Sequence, residues 1–205
     1  MSQPQPLVPG EYYHIYNRGN NRENLFRVER NYDYFMRLYV RYISPVAVTF
    51  AFCLLRNHFH LLVRILEMEA LRAIRPFVSI EEAQDYISLQ FANWFGTYSK
   101  AFNKAYGRSG NLFMRPFKRK RVDSDRYFQQ LIIYIHHNPQ THGLVTDFRA
   151  WPYSSYGILT SDRKTVVRRA EVLTWFDGLQ PFVAAHQISA NEGMMRDLLF
   201  DEVED

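Results

Sequence analysis

The chain has 205 residues, 47% of them apolar, enough to bury a full core in one domain or in a domain with an appendage. Its single cysteine, Cys53, lies in an apolar run and excludes an internal disulfide or a thiolate metal cluster. The start lacks a signal-peptide pattern and no apolar run approaches the roughly 20 residues of a membrane span, so a reducing, cytoplasmic setting with no membrane partner is expected. The net charge is +4, yet residues Asp201 to Asp205 are strongly acidic, so the remainder is more basic than the total suggests and fits a polyanionic partner. An aromatic fraction of 16% offers stacking surfaces to unpaired bases, although an aromatic-rich core has the same composition.

In chain order, Glu11 to Asn17 is rich in β-favouring residues and predicts a strand, followed by the polar loop Arg18 to Arg22. From Glu29 to Ile43, Tyr32, Phe35, Met36, Tyr39, Val40 and Ile43 recur at spacings of three and four, predicting an amphipathic helix that Pro45 ends. Val46 to Leu55 predicts a buried strand, Arg56-Asn57 a turn, and His58 to Leu66 a second strand in a hairpin with it. Residues 67 to 80 give no clear element. A long helix follows from Ile80 to Tyr106, with Ile87, Phe91, Trp94, Phe95, Tyr98 and Phe102 along one side. After a turn at Gly107 to Asn111, Leu112 to Val122 predicts a strand or extended segment carrying the basic run Arg115 to Arg121. Asp123 or Ser124 then caps a third helix, which Pro139 and Gly143 terminate. This β-α-β-β-α-β order predicts an α+β fold, the split βαβ (ferredoxin-like, RRM-like) antiparallel sheet with helices on one face. Residues 1–150 form the expected domain and 151–205 a C-terminal appendage with one helix, Ala170 to Phe176.

Two groups of residues carry chemistry. The strand period of two puts His58 and His60 on one face while Phe59, Leu61 and Val63 point the other way into a core. Paired imidazoles suit a divalent cation whose remaining ligands come from elsewhere, although a His-x-His in a strand also fits a packed, hydrogen-bonded pair. On the third helix, Tyr127, Leu131, Tyr134 and Asn138 fall on one stripe at 100° per residue. Tyr134 and Asn138 are one turn apart, so a phenol and an amide oxygen reach the same small volume. Taken alone, that stripe reads more simply as core, with Asn138 as a cap before Pro139. His136 and His137 fall on the outward side and are expected to be solvated.

Together the groups are more specific. His58-Phe59-His60 resembles the His-hydrophobe-His motif of the HUH endonucleases, and Tyr134-Ile135-His136-His137-Asn138-Pro139 resembles the tyrosine helix of the single-tyrosine transposases. The chain is similar to the REP-associated tyrosine transposases and to related transposases of small bacterial insertion sequences. The resemblance runs from about Tyr12 through Tyr156 and includes Tyr13-His14-Ile15-Tyr16-Asn17-Arg18-Gly19 and Trp151-Pro152-Tyr153-Ser154-Ser155-Tyr156. It implies Tyr134 as nucleophile, a metal held by His58, His60 and Asn138, and a split βαβ fold with the histidines on a central strand. The expected cofactor is Mg²⁺ or Mn²⁺, and the expected partner is single-stranded or hairpin DNA in the nucleoid, cleaved and rejoined through a covalent phosphotyrosine. Tyr127 competes for the nucleophile's role, but the residue one turn on is Leu131, which cannot ligate. Arg115, Lys118, Arg119, Lys120 and Arg121, together with Arg18, are assigned to DNA contact, against the reading of the run as a solvated edge.

Two other functions fit parts of the pattern: a nucleic-acid-binding split βαβ module without cleavage activity, and a zinc hydrolase using His58, His60 and a carboxylate. The joint presence of the His pair, Tyr134 and Asn138 speaks against the first, and the lack of a carboxylate at ligand spacing near the pair against the second. Monomer and homodimer, the latter with a site completed in trans, both fit the sequence.

Overall fold

The structure, a computed structural model, describes residues 5–188, so the acidic segment Asp201 to Asp205 lies outside the described residues. Four strands, β1 (Tyr12–Arg18), β2 (Ala47–Leu54), β3 (His58–Ile65) and β4 (Lys118–Val122), form one antiparallel sheet in the order β2-β3-β1-β4. This is the order that a split βαβ unit requires, with β1 and β3 at the centre. The connecting helices are α1 (Glu29–Tyr42), the short α2 (Met68–Ile74) and the long α3 (Ile80–Tyr106).

Alternation along the strands sorts the two faces. Phe59 turns toward α1 and α3, where its ring lies 5.3 Å from Phe35 and 5.5 Å from Trp94. The stripe on α3 is buried from Ile87 to Phe102, and Trp94 Nε1 donates to the carbonyl of Phe35 at 3.0 Å, so the large rings are fixed as well as buried. Burial of each such side chain contributes roughly 1.5–3 kcal/mol. Ser79 caps α3 by accepting from the Glu82 amide, and Gly107 ends it in the left-handed region at φ 60°, where a side chain would be strained.

The two helices of the split βαβ unit thus share one face, as expected. The next helix, α4 (Asp125–Thr141), covers the other. It starts where Ser124 accepts from the Tyr127 amide, and it runs through Pro139 to Thr141 instead of stopping there. Register on this side is altered by a bulge between Thr49 and Ala51, which lets Phe50 pack against Phe128 of α4 at 5.3 Å.

Beyond Trp151 the chain is sewn to the outer edge of β2. Leu54 donates to Tyr153, Ser155 to Phe52 and Arg168 to Thr49 through backbone hydrogen bonds of 2.8–2.9 Å, so the edge strand is not left open. Three helices follow where the sequence predicts one: α5 (Tyr156–Leu159), α6 (Arg169–Trp175) and α7 (Leu179–Ile188). The extra two are short and apolar, without the periodicity that marks a long amphipathic helix. Among the described residues, no helix is long and apolar enough to cross a membrane.

Candidate functional site

Strand pairing decides what surrounds the histidines. Across β1 and β3, Tyr16 lies opposite His60 and Arg18 opposite His58, and across β1 and β4, Lys118 lies opposite Tyr16 and Lys120 opposite His14. Directly opposed residues share a face, so these seven side chains form one patch on the α4 side of the sheet. Arg18 belongs to β1 and not to the loop that the sequence suggests. Its place opposite His58 puts a cation at the margin of the patch.

The patch is a layer of rings. His14 stacks on Tyr16 at 4.6 Å and on His60 at 5.2 Å, while the Tyr134 ring meets His60 edge-on at 5.5 Å and His14 at 6.2 Å. At the far end, His142, which follows α4, meets His58 at 4.7 Å. Tyr134 is thus set over His60 and His142 over His58, and Asn138 lies one helical turn from each on the stripe between them. The structure brings Tyr134 against His60 and His58 beside it, and carries Asn138 on the same helix one turn from Tyr134.

Hydrogen bonds fix how these groups present themselves. His58 Nδ1 is 2.8 Å from Asn57 Oδ1, which can only accept, so Nδ1 carries the proton and Nε2 keeps its lone pair. His60 Nδ1 is 3.0 Å from His14 Nε2, and donation in that direction leaves His60 Nε2 as the lone-pair atom. Asn138 Nδ2 donates to the Tyr134 carbonyl at 3.0 Å; the reverse orientation would set two oxygens against each other. Asn138 Oδ1 is therefore turned away, buried, and accepts no hydrogen bond among the described residues. A buried acceptor without a donor costs about 1–3 kcal/mol, and a cation is a chemically matched partner for it. Two imidazoles and an amide oxygen form a mixed N/O donor set that could hold a divalent cation, with substrate or water completing its shell. Among the described residues no three His, Cys, Asp or Glu side chains are grouped to hold a metal, so no carboxylate completes a hydrolytic zinc site with this pair.

Other assignments separate. Tyr127 is half-buried at the opposite end of α4, with the Lys120 ammonium 5.6 Å from its ring. The basic run is divided by the period of β4: Lys118 and Lys120 share the histidine face, whereas Arg119 and Arg121 take the other. There the Arg119 guanidinium sits 4.2 Å over Phe117, with burial lowering its pKa, and Arg121 makes a two-pronged ion pair with Glu11 at 2.6 and 2.9 Å. Arg115 is exposed in the segment before β4.

His136 and His137 are not solvated, contrary to the sequence reading; they are 0% and 5% exposed. The outward side of α4 is roofed by α7. His136 Nδ1 lies 2.8 Å from His186 Nε2, His136 Nε2 lies 2.7 Å from Ser155 Oγ, and His137 Nε2 donates to the His186 carbonyl at 2.9 Å. Sequence reasoning also left His14, Tyr16 and His142 without a role at the site. The alternation in Tyr13-His14-Ile15-Tyr16 places two of them on one strand face, but only the β1–β3 register shows that this face is the histidine face.

Comparison with known proteins gives the geometry a context. No protein-family model matches the chain. A Haemophilus influenzae protein named "Putative REP-associated tyrosine transposase" is 32% identical over 111 residues, which make up 53% of this chain and 58% of that protein. A solved structure, of a REP-associated tyrosine transposase bound to a REP hairpin, superposes with a TM-score of 0.54 at 17% identity, covering 81% of this chain and 88% of the other. The fold is that of the REP-associated tyrosine transposases. The resemblance carried by the His-Phe-His and tyrosine-helix motifs is to the same transposases, and the sheet order, with the histidines on central β3, agrees with what that resemblance implies. The chain spans a little over half of the curated transposase it matches, 58% of that protein's length.

Proposed function

We propose that the chain is a REP-associated tyrosine transposase that binds hairpin DNA with unpaired flanks and cleaves and rejoins it through Tyr134, with Mg²⁺ or Mn²⁺ as cofactor. One observation carries the reading: the Tyr134 ring stands edge-on to His60 and His14, with the unsatisfied Oδ1 of Asn138 one turn further along α4. A merely structural aromatic stripe does not require two imidazoles, one of them fixed in its tautomer by Asn57, and a buried amide oxygen beside it.

The chain's own groups divide the work. His58, His60 and Asn138 would hold the cation through Nε2, Nε2 and Oδ1; Asn57 keeps His58 in the ligating tautomer, and His14, by accepting from His60 Nδ1, would do the same for His60. When bound, the cation would neutralise charge on the scissile phosphate and favour the phenolate form of a nearby tyrosine. Lys118, Lys120 and Arg18 border the site and are suited to follow the strand's phosphates. The Tyr134 oxygen attacks phosphorus, a Tyr–O–P bond forms, and one phosphodiester P–O bond breaks to release a DNA hydroxyl, which takes up the proton. The phosphodiester energy is retained in the phosphotyrosine, so a DNA hydroxyl can reverse the step and join strands without a nucleotide cofactor.

The test is to incubate the protein with end-labelled hairpin DNA, with and without Mn²⁺, and to separate the products under denaturing conditions. The reading expects a metal-dependent protein–DNA adduct that disappears on chelation. Tight DNA binding with no adduct under any metal condition would instead support a binding module of the same fold.

A further inference from the structure

A second candidate site lies at the same end of the sheet, on its other side. A cavity of about 530 Å³, within the usual size of small-ligand sites, opens among Phe26, Arg27, Tyr32, Arg56, Trp151 and Tyr153. Arg56 is exposed in the β2–β3 turn, and Asn57 alone separates it from His58, so the cavity mouth is a short step along the chain from the proposed cleavage site.

Its lining is a stack in which, among the described residues, Tyr32 is the one ring lying parallel to Tyr153. Phe26 and Tyr32 stack at 4.4 Å and 19°, and Tyr32 and Tyr153 at 3.5 Å and 4°, so three rings form one nearly parallel column. Phe26 and Tyr32 are buried, whereas Tyr153, at the outer end, is half-buried, and only one of its faces is used by Tyr32. Trp151 stands almost perpendicular to Tyr153 at 5.6 Å and 78°, held by Nε1 donating to the Leu54 carbonyl at 2.9 Å. A flat ring on the outer face of Tyr153 would extend the column, with Trp151 as a side wall. The charge is mixed: Arg27, Arg56 and Glu29 line the cavity, Asp33 also acts on Tyr153, and Arg27 is held over Tyr106 at 4.6 Å, so Arg56, exposed at the mouth, is the cation placed for a phosphate.

We propose that this cavity takes an unpaired nucleotide of the DNA, its base stacked on Tyr153 and its phosphate near Arg56, and so selects which unpaired position lies at the cut. The proposal rests on the DNA-processing reading above but not on its chemistry.

The experiment uses the full chain and hairpin oligonucleotides with unpaired flanks of mixed sequence, in which each flank residue in turn is replaced by 2-aminopurine or by an abasic sugar. One position is expected to show quenched 2-aminopurine fluorescence and about tenfold weaker binding when abasic, the scale of a lost base–aromatic stack. In Tyr153→Ala the abasic penalty at that position should vanish, and Tyr153→Phe, which keeps the ring, should restore it. Free deoxynucleoside monophosphates should not displace the strand at the concentrations of the oligonucleotide. Equal abasic penalties in wild type and Tyr153→Ala, or displacement by the free nucleotides, would overturn the assignment. Adduct formation with no sensitive position would sink the pocket alone. A sensitive position without adduct would sink the strand-transfer reading alone, and wild type without DNA binding would sink both.

Discussion

Asn138 and His14 show how much a single atom decides. Asn138 Oδ1 is buried with no hydrogen-bond donor among the described residues, and His14 Nε2 lies 3.0 Å from His60 Nδ1, where accepting from it would let His60 present Nε2 as a lone pair. If that hydrogen bond sets the tautomer of a metal ligand, His14→Phe keeps a ring against Tyr16 but removes the acceptor. Mn²⁺ affinity by calorimetry should then fall about 10–100-fold, the usual effect of losing such a supporting partner. Unchanged affinity would return His14 to packing. The ligands themselves should matter more: the His58→Ala/His60→Ala double variant should show no Mn²⁺ binding in the same titration, and binding that persists would remove the metal site from the account.

At the scale of elements, β4 makes the sharpest distinction. Lys118 and Lys120 share the histidine face, while Arg121 is already neutralised by Glu11 at 2.6 Å on the other. Lys118→Ala and Lys120→Ala should each lower the slope of log affinity for DNA against log salt by roughly one unit, and Arg121→Ala should lower it by clearly less. Equal slopes for the three variants would mean that the strand's faces do not separate DNA contact from structure. The division depends on where the strand begins, and the dense run Arg115 to Arg121 hides that in the sequence. Elements with a strong period were legible: the aromatic stripe of α3, the β2–β3 hairpin and the one-turn pairing of Tyr134 with Asn138. The bulge at Phe50 and the short α2 were not, since one extra residue or a seven-residue helix leaves no periodic trace. His136 and His137 were misplaced for a related reason: helix geometry gives the side they face, but not that a later segment covers it.

For the whole molecule, that covering segment links the tail to the tyrosine helix. His186 Nδ1 donates to the Phe182 carbonyl at 2.8 Å, so its Nε2 accepts from His136 Nδ1 at 2.8 Å, and His186 must be neutral to make both bonds. Burial is the main cause that pushes His186 down to about 4, against about 6.5 in an unfolded chain. Between these values the unfolded state binds the additional proton, so stability rises with pH. His186 contributes fully above about 6.5, and its contribution, on the order of 2–3 kcal/mol, is lost as pH falls toward the lower value. Chemical denaturation across this window should show a shallower pH dependence for His186→Gln than for wild type; identical slopes would exclude His186 as the titrating group. Tyr134, on the opposite side of the same helix, carries the central claim. The most direct measurement is peptide mapping by mass spectrometry of the adduct trapped on hairpin DNA with Mn²⁺, in wild type, Tyr134→Phe and Tyr127→Phe. DNA linked to Tyr134 is expected in wild type and in Tyr127→Phe, with no adduct in Tyr134→Phe although DNA still binds. DNA linked to the Tyr127 peptide, or an adduct that survives Tyr134→Phe, would contradict that claim.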